Sequence, residues 1–181
     1  MTERLVLRAP RVEDASAVAA LMCPAVSQWL ASWPPTVDCA GAEERIADAR
    51  GDIEAGRGFH WLVATRLNSQ PMGWVRVTRS ERDRSRGELG FWLGTPFHGS
   101  GYAIEAVRAA VHAGFRVVEL DVIEGGAQPA NQASLRLMER IGMVRTAERQ
   151  VFASARQRME LCVFLEIDRL RAARSQVPPI E

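Results

Sequence analysis

Apolar and polar positions alternate by different rules in successive parts of the chain. Leu5-Val6-Leu7-Arg8 predicts a short strand, and Arg11-Val12-Glu13-Asp14 leads into a helix with Val18, Leu21 and Met22 at a spacing near 3.6 residues. Residues 27–35 break this pattern with Trp29, Trp33, Pro34 and Pro35, where the double proline ends any helix. A second helix is predicted over 42–55, with Ile46, Ala49 and Ile53 on one side and Gly56-Arg57-Gly58 as its stop. The middle reads as a meander: β-rich runs at 59–65 and 72–78 around the turn Asn68-Ser69-Gln70-Pro71, then a third run at 86–94. In that third run Glu88 and Trp92 share one face and Leu89, Phe91 and Leu93 the other. The second half predicts a largely buried helix over 102–115, a strand at 117–123, a helix at 131–141, and strands at 144–146 and 158–165. Antiparallel strands followed by a βαβ pattern make this an α/β (α+β) chain.

Composition narrows the class. The 181 residues, 47% hydrophobic and 25% charged, suit one domain spanning 1–181, with residues 168–181 as a polar C-terminal tail containing Pro178-Pro179. No apolar run approaches the roughly 20 residues of a membrane span, and Thr2, Glu3 and Arg4 do not open a signal peptide. With 23 basic against 22 acidic residues the chain lacks the basic excess of a nucleic-acid binder. Every basic residue is arginine. The cysteines Cys23, Cys39 and Cys162 are odd in number and have no metal-ligand spacing, so a reducing, cytoplasmic setting without a metal site is expected.

The local feature that carries chemistry is Thr95-Pro96-Phe97-His98-Gly99-Ser100-Gly101-Tyr102-Ala103, between a strand and a buried helix. Glycines there let successive backbone N–H groups approach an anion, and the helix N-terminus adds partial positive charge, so a diphosphate is a natural guest. A tight turn would use the same glycines. A Walker loop needs a lysine the chain does not have, and Ile104 stands where a Rossmann fingerprint needs its third glycine.

Gly99-Ser100-Gly101-Tyr102-Ala103, then Glu105-Ala106, Asn131 with Ser134, and Arg140-Ile141-Gly142-Met143 together resemble the Gcn5-related N-acetyltransferase (GNAT) superfamily. The branch it resembles is the Rim type, named for members that acetylate ribosomal-protein N-termini. Arg4-Leu5-Val6-Leu7-Arg8, Trp33-Pro34-Pro35, Met72-Gly73-Trp74 and Glu88-Leu89-Gly90-Phe91-Trp92-Leu93 extend the likeness over most of the chain. Pro96 and Met143 depart from the superfamily pattern without removing a backbone donor from residues 99–103.

The resemblance implies a central twisted mixed sheet of six to seven strands flanked by helices and splayed between strands 4 and 5. It implies that the backbone of His98, Gly99, Ser100, Gly101, Tyr102 and Ala103 grips the pyrophosphate of acetyl-coenzyme A, that Phe91, Trp92 and Leu93 pair with the pantetheine amides, and that Asn131 and Ser134 lie near the sulfur. Met138 stands where many members carry a tyrosine acid, so Ser134 is expected to hydrogen-bond the sulfur and relay a proton. Helix capping would equally explain Asn131, but it accounts less well for a hydroxyl beside Leu137, Met138 and Ile141. Glu88 is the first choice of base, with pairing to a flanking arginine as its structural alternative. Glu105 is expected to pair with Arg108. Trp29 and Trp33 fall in the segment that roofs the acceptor pocket, although packing would also explain either.

The expected activity is transfer of an acetyl group from acetyl-coenzyme A to a primary amine by direct attack in a ternary complex. The acceptor is a protein N-terminus, an amino acid or a small amine, with neither nucleic acid nor membrane as partner, and a homodimer is compatible with the resemblance. The alternative is a non-catalytic acyl-CoA-binding sensor, which needs the loop but not Ser134 or a base.

Overall fold

The computed structural model describes residues 2–174. Strand β1 (Leu5–Arg8) leads through a 3-10 turn into helices α1 (Ala15–Leu21), α2 (Pro24–Ser27) and α3 (Cys39–Glu54). The meander β2 (Gly58–Thr65), β3 (Pro71–Arg79) and β4 (Arg86–Leu93) follows, then α4 (Tyr102–Val117), β5 (Val122–Ala127) and α5 (Gln132–Arg140). A hairpin of β6 (Val144–Ala153) and β7 (Arg158–Asp168) precedes the short α6 (Arg169–Arg174). All seven strands join one sheet in the order β1-β2-β3-β4-β5-β7-β6. Every pairing is antiparallel except β4 with β5.

Each sheet face buries its own core. On one face Val75, Val77, Leu89 and Ile123 pack against Val107, Ala110, Val111 and Phe115 of α4 and against Leu135 and Met138 of α5. On the other, Leu62, Trp74 and Trp92 pack against Val18 and Met22 near α1 and Ile46 and Ala49 of α3. The alternation along β4 thus sends Leu89 and Leu93 to the α4 side and Trp92 to the α3 side.

The β4–β5 pairing positions the site. It runs from Arg86 opposite Val122 to Leu89 opposite Gly125, and then stops. Beyond it β4 continues to Leu93 and β5 to Ala127, so the two parallel strands part and open a gap in the sheet.

Four expectations are corrected. The strand placed at 117–123 begins instead at Val122, because α4 runs on to Val117 and the chain turns at Glu119, whose φ is +54°. Its downstream half hid behind Gly125 and Gly126, where a Cβ would come within 2.7 Å of Met138 Sδ and of the Phe164 ring. The strand placed at 144–146 extends to Ala153, but nearly all its side chains are exposed and show no alternation. Residues 168–174 are structured rather than tail: Asp168 ends β7, its carboxylate accepts the Arg171 N–H at 2.7 Å, and α6 buries Ala172. Pro178-Pro179 lie outside the described residues. Finally, Glu105 pairs with Arg4 at 2.7 Å and not with Arg108, whose buried Nε has no partner among the described residues.

Candidate active site

Where β4 and β5 part, a cavity of about 1040 Å³ is lined by residues from both sheet faces. Its α4 side is made by the loop after β4. Gly99 and Gly101 both take left-handed φ values of +77°, a conformation in which a side chain is strained and in which adjacent N–H groups turn to a common side. The Gly101 carbonyl takes up the Glu105 N–H at 3.3 Å, starting α4. Among the described residues, no backbone acceptor takes up the N–H groups of residues 99–104. Those free donors, at the head of a 16-residue helix, fit a diphosphate.

The loop is braced by the residues just before β1. Arg4 donates to the Ser100 carbonyl at 2.9 Å, stacks 4.5 Å over the Tyr102 ring and pairs with Glu105. Bonds from Thr2 and from the Arg4 N–H and guanidinium hold the Glu105 carboxyl below its ordinary range against the opposing effect of burial. His98 Nε2 lies 2.8 Å from the Leu93 carbonyl, which can only accept, so that nitrogen carries the proton.

α5 supplies the adjoining wall. Asn131 caps it, its side-chain oxygen accepting the Ser134 N–H at 3.2 Å. That cap uses the Ser134 backbone only. The Ser134 hydroxyl makes no hydrogen bond among the described residues, although the residue lines the cavity.

The opposite side is built from side chains. Trp33 meets Trp92 edge-on with centroids 5.1 Å apart and Trp74 at 6.1 Å, and the Arg45 guanidinium lies 4.3 Å over its ring. Buried His60 is locked: Trp74 Nε1 donates to its Nδ1 at 3.3 Å, so Nε2 carries the proton and donates to Asp52 at 2.8 Å. Burial holds the His60 pKa below its usual value; the Asp52 bond opposes this and the Arg76 charge adds to it. The loop bearing Trp29 and Trp33 is strapped to the turn between β6 and β7. Arg156 donates to the Ser27 and Leu30 carbonyls at 3.0 Å, and Glu160 holds Arg156 with contacts of 2.6 and 2.7 Å. Arg156, Arg158 and Gln128 together draw the Glu160 carboxyl down to about 2.

Residues 4–144 match the model of the acetyltransferase (GNAT) domain. The chain belongs to the GNAT acetyltransferase family. A curated relative, the uncharacterized N-acetyltransferase p20 of Bacillus licheniformis, is 25% identical over 159 residues, 87% of this chain and 89% of that one. The Mycobacterium smegmatis RimJ in complex with CoA-disulfide superposes with a TM-score of 0.79 at 17% identity, covering 94% of this chain and 87% of that one. The ribosomal-protein-S5-alanine acetyltransferase of Vibrio fischeri does so with a TM-score of 0.76 at 18% identity, covering 93% and 94%. The sheet of this N-acetyltransferase, with its parallel β4–β5 pair, is the GNAT fold.

The cavity of the acetyltransferase brings together most of the residues singled out from sequence. Phe91, Trp92, Leu93, His98, Gly99, Gly101, Tyr102, Ala103, Asn131 and Ser134 all line it, as do Trp29 and Trp33 across the gap. Two do not. Ser100 points its carbonyl away to Arg4, and Glu88 is exposed on β4 opposite Thr78 and Glu124, outside the lining. Sequence reasoning missed Arg4, Arg45, Asp48, His60 and Arg76. Trp74 and Arg76 were findable, because period-two alternation puts both on the face of β3 that Trp92 shares on β4.

Proposed function

We propose that the protein transfers an acetyl group from acetyl-coenzyme A to a primary amine by direct attack within a ternary complex. The observation that carries this reading is the continuity of the cavity: a donor-rich loop on one sheet face, an aromatic pocket on the other, and the unengaged Ser134 hydroxyl on the adjoining wall.

Bound acetyl-coenzyme A supplies the activated acyl thioester. The N–H groups of the 99–104 run hold its diphosphate, and the stretch Phe91, Trp92 and Leu93, beyond the β5 pairing, orients its amide-bearing arm along the edge β4 leaves unpaired. The acceptor amine, seated against Trp33, attacks the acyl carbon; a C–N bond forms as the C–S bond breaks. Ser134 hydrogen-bonds the departing sulfur, gives it a proton and regains one that originates on the amine, so the hydroxyl returns unchanged. Among the described residues, Asp48 is the one carboxylate on the cavity wall. With Glu88 off the wall, an amine that is already partly neutral near pH 7 suits the site: an α-amine, with a pKa of about 7.7–8.0, rather than a lysine at about 10.4.

Calorimetric titration with acetyl-coenzyme A beside a thiol-release screen over peptides, amino acids and small amines tests the proposal. Binding with amine-dependent thiol release is the expected result. Binding with no release from any amine favours a sensor of the acyl group, and absence of binding overturns the role given to the loop.

A further inference from the structure

Among the described residues, four arginines and one carboxylate line the cavity. Arg136 and Arg140 belong to α5, beside the loop, where an anionic cofactor lies under the reading above. Arg45 is already served: it donates to the Ser32 carbonyl at 2.6 Å, covers Trp33, and feels Asp48 and Glu44 on its own helix. Arg76 is different. It lines the aromatic pocket, takes part in no ion pair among the described residues, and makes one hydrogen bond, from Nη1 to the Thr78 hydroxyl at 3.2 Å. The acidic residue sharing its sheet face on β4, Glu88, is exposed and takes part in no ion pair among the described residues.

The backbone makes room for this guanidinium. Arg76 lies opposite Gly90, and a Cβ on Gly90 would sit 2.9 Å from Arg76 Nε and 3.3 Å from its Cγ. The arginine therefore lies flat across β4 just where that strand begins to part from β5. Beside it, Trp92 is 94% buried on the same face and its Nε1 donor has no partner among the described residues. Buried donors without acceptors are disfavoured, and a guanidinium matches a carboxylate with two parallel bonds. This end of the cavity thus offers donors and flat apolar walls together with the Asp48 carboxylate, a better complement to an amine that also carries an anion than to an amine alone.

We propose that the acceptor carries a carboxylate as well as its amine, and that Arg76 is the specificity-determining residue that binds it. The proposal rests on the acetyl-transfer reading for the position of the amine, but the carboxylate contact itself needs no turnover. The carboxylate comes either from a free amino acid or from an acidic side chain behind a peptide N-terminus, and both present the same group to Arg76.

The test measures binding to the protein saturated with coenzyme A, by calorimetry, so that it reads the contact independently of catalysis. The probes are L-phenylalanine against L-phenylalaninamide, and Ala-Asp-amide against Ala-Asn-amide. In at least one pair the carboxylate is expected to bind about tenfold more tightly, the scale of a charge-assisted contact. Arg76→Gln should abolish that preference and Arg76→Lys should keep part of it, with coenzyme A affinity unchanged in both as the check on folding. Preference in the first pair identifies a free amino acid; in the second, an acidic peptide. Equal binding within both pairs, no binding by any probe, or a preference that survives in Arg76→Gln overturns the proposal. Thiol release from amines lacking a carboxylate, alongside such a result, would leave the transferase reading intact and remove only the anchor.

Discussion

On the α4 side of the gap between β4 and β5 the cavity wall is built around the glycine loop, with α5 beside it, whereas on the α3 side it is side chains from α3, β2, β3, β4 and the loop after α2. The first side is set by φ angles at two glycines within one nine-residue stretch. The second depends on Trp33, Arg45, His60, Trp74, Arg76 and Trp92, brought together only by strand register and by the Arg156–Glu160 strap. Backbone donors suit a partner whose diphosphate never varies. A side-chain wall can be rebuilt residue by residue, and under the proposed reading it is there that acceptor preference would reside.

The largest expected effect lies at the junction of the two sides. Ser134→Ala should lower kcat by about 100-fold, the scale of lost proton transfer, while acetyl-coenzyme A affinity changes less than about twofold. A parallel loss of affinity would mean that Ser134 belongs to the binding wall instead. Next comes the backbone side: Gly101→Val forces a β-branched residue to a φ of +77° and should weaken acetyl-coenzyme A binding, read by calorimetry. The expected loss is about 10- to 100-fold, with acceptor binding untouched.

The strap tests the other side through pH. Because the Glu160 carboxyl is held at about 2, its stabilisation is complete above the ordinary value of 4.5 and is lost as pH falls from there through about 2. Above about pH 5, Glu160→Gln should melt about 5 °C below wild type and show a raised KM for acceptor; as pH drops the two melting curves should converge. A constant gap would show that the pair contributes packing rather than charge. The smallest effect is expected at the boundary: Glu88→Gln, outside the cavity lining, should leave kcat within about twofold of wild type in the thiol-release assay. A loss as large as that of Ser134→Ala would return Glu88 to the role of base.

The same contrast explains what could be read from the chain beforehand. The meander, α3, α4 and α5 announce themselves by periodicity, and the glycine loop by local composition, because each is specified within a dozen neighbouring residues. β6 was cut short because a strand exposed on both faces has no alternation to display, and β5 because its glycines answer to Met138 and Phe164, distant in sequence. The glycine-loop end of the cavity was legible for the first reason and the aromatic end mostly hidden for the second. Trp29 and Trp33 were visible as an unusual cluster, whereas period-two alternation offers Arg76 only as a face-mate of Trp74, and strand register is what sets it beside Gly90.

The hairpin of β6 and β7 has a consequence for how such a chain can change. Most β6 side chains face water, so their identities are loosely constrained and substitutions there should accumulate with little effect on stability. Its length is another matter. The Ala155 N–H meets the Ala31 carbonyl at 2.9 Å, and Arg156 reaches Ser27 and Leu30 from the same turn. One residue gained or lost in either strand would swing Arg156 to the opposite face and release the segment carrying Trp29 and Trp33. β6 is thus a ruler whose markings are free to vary and whose span is not.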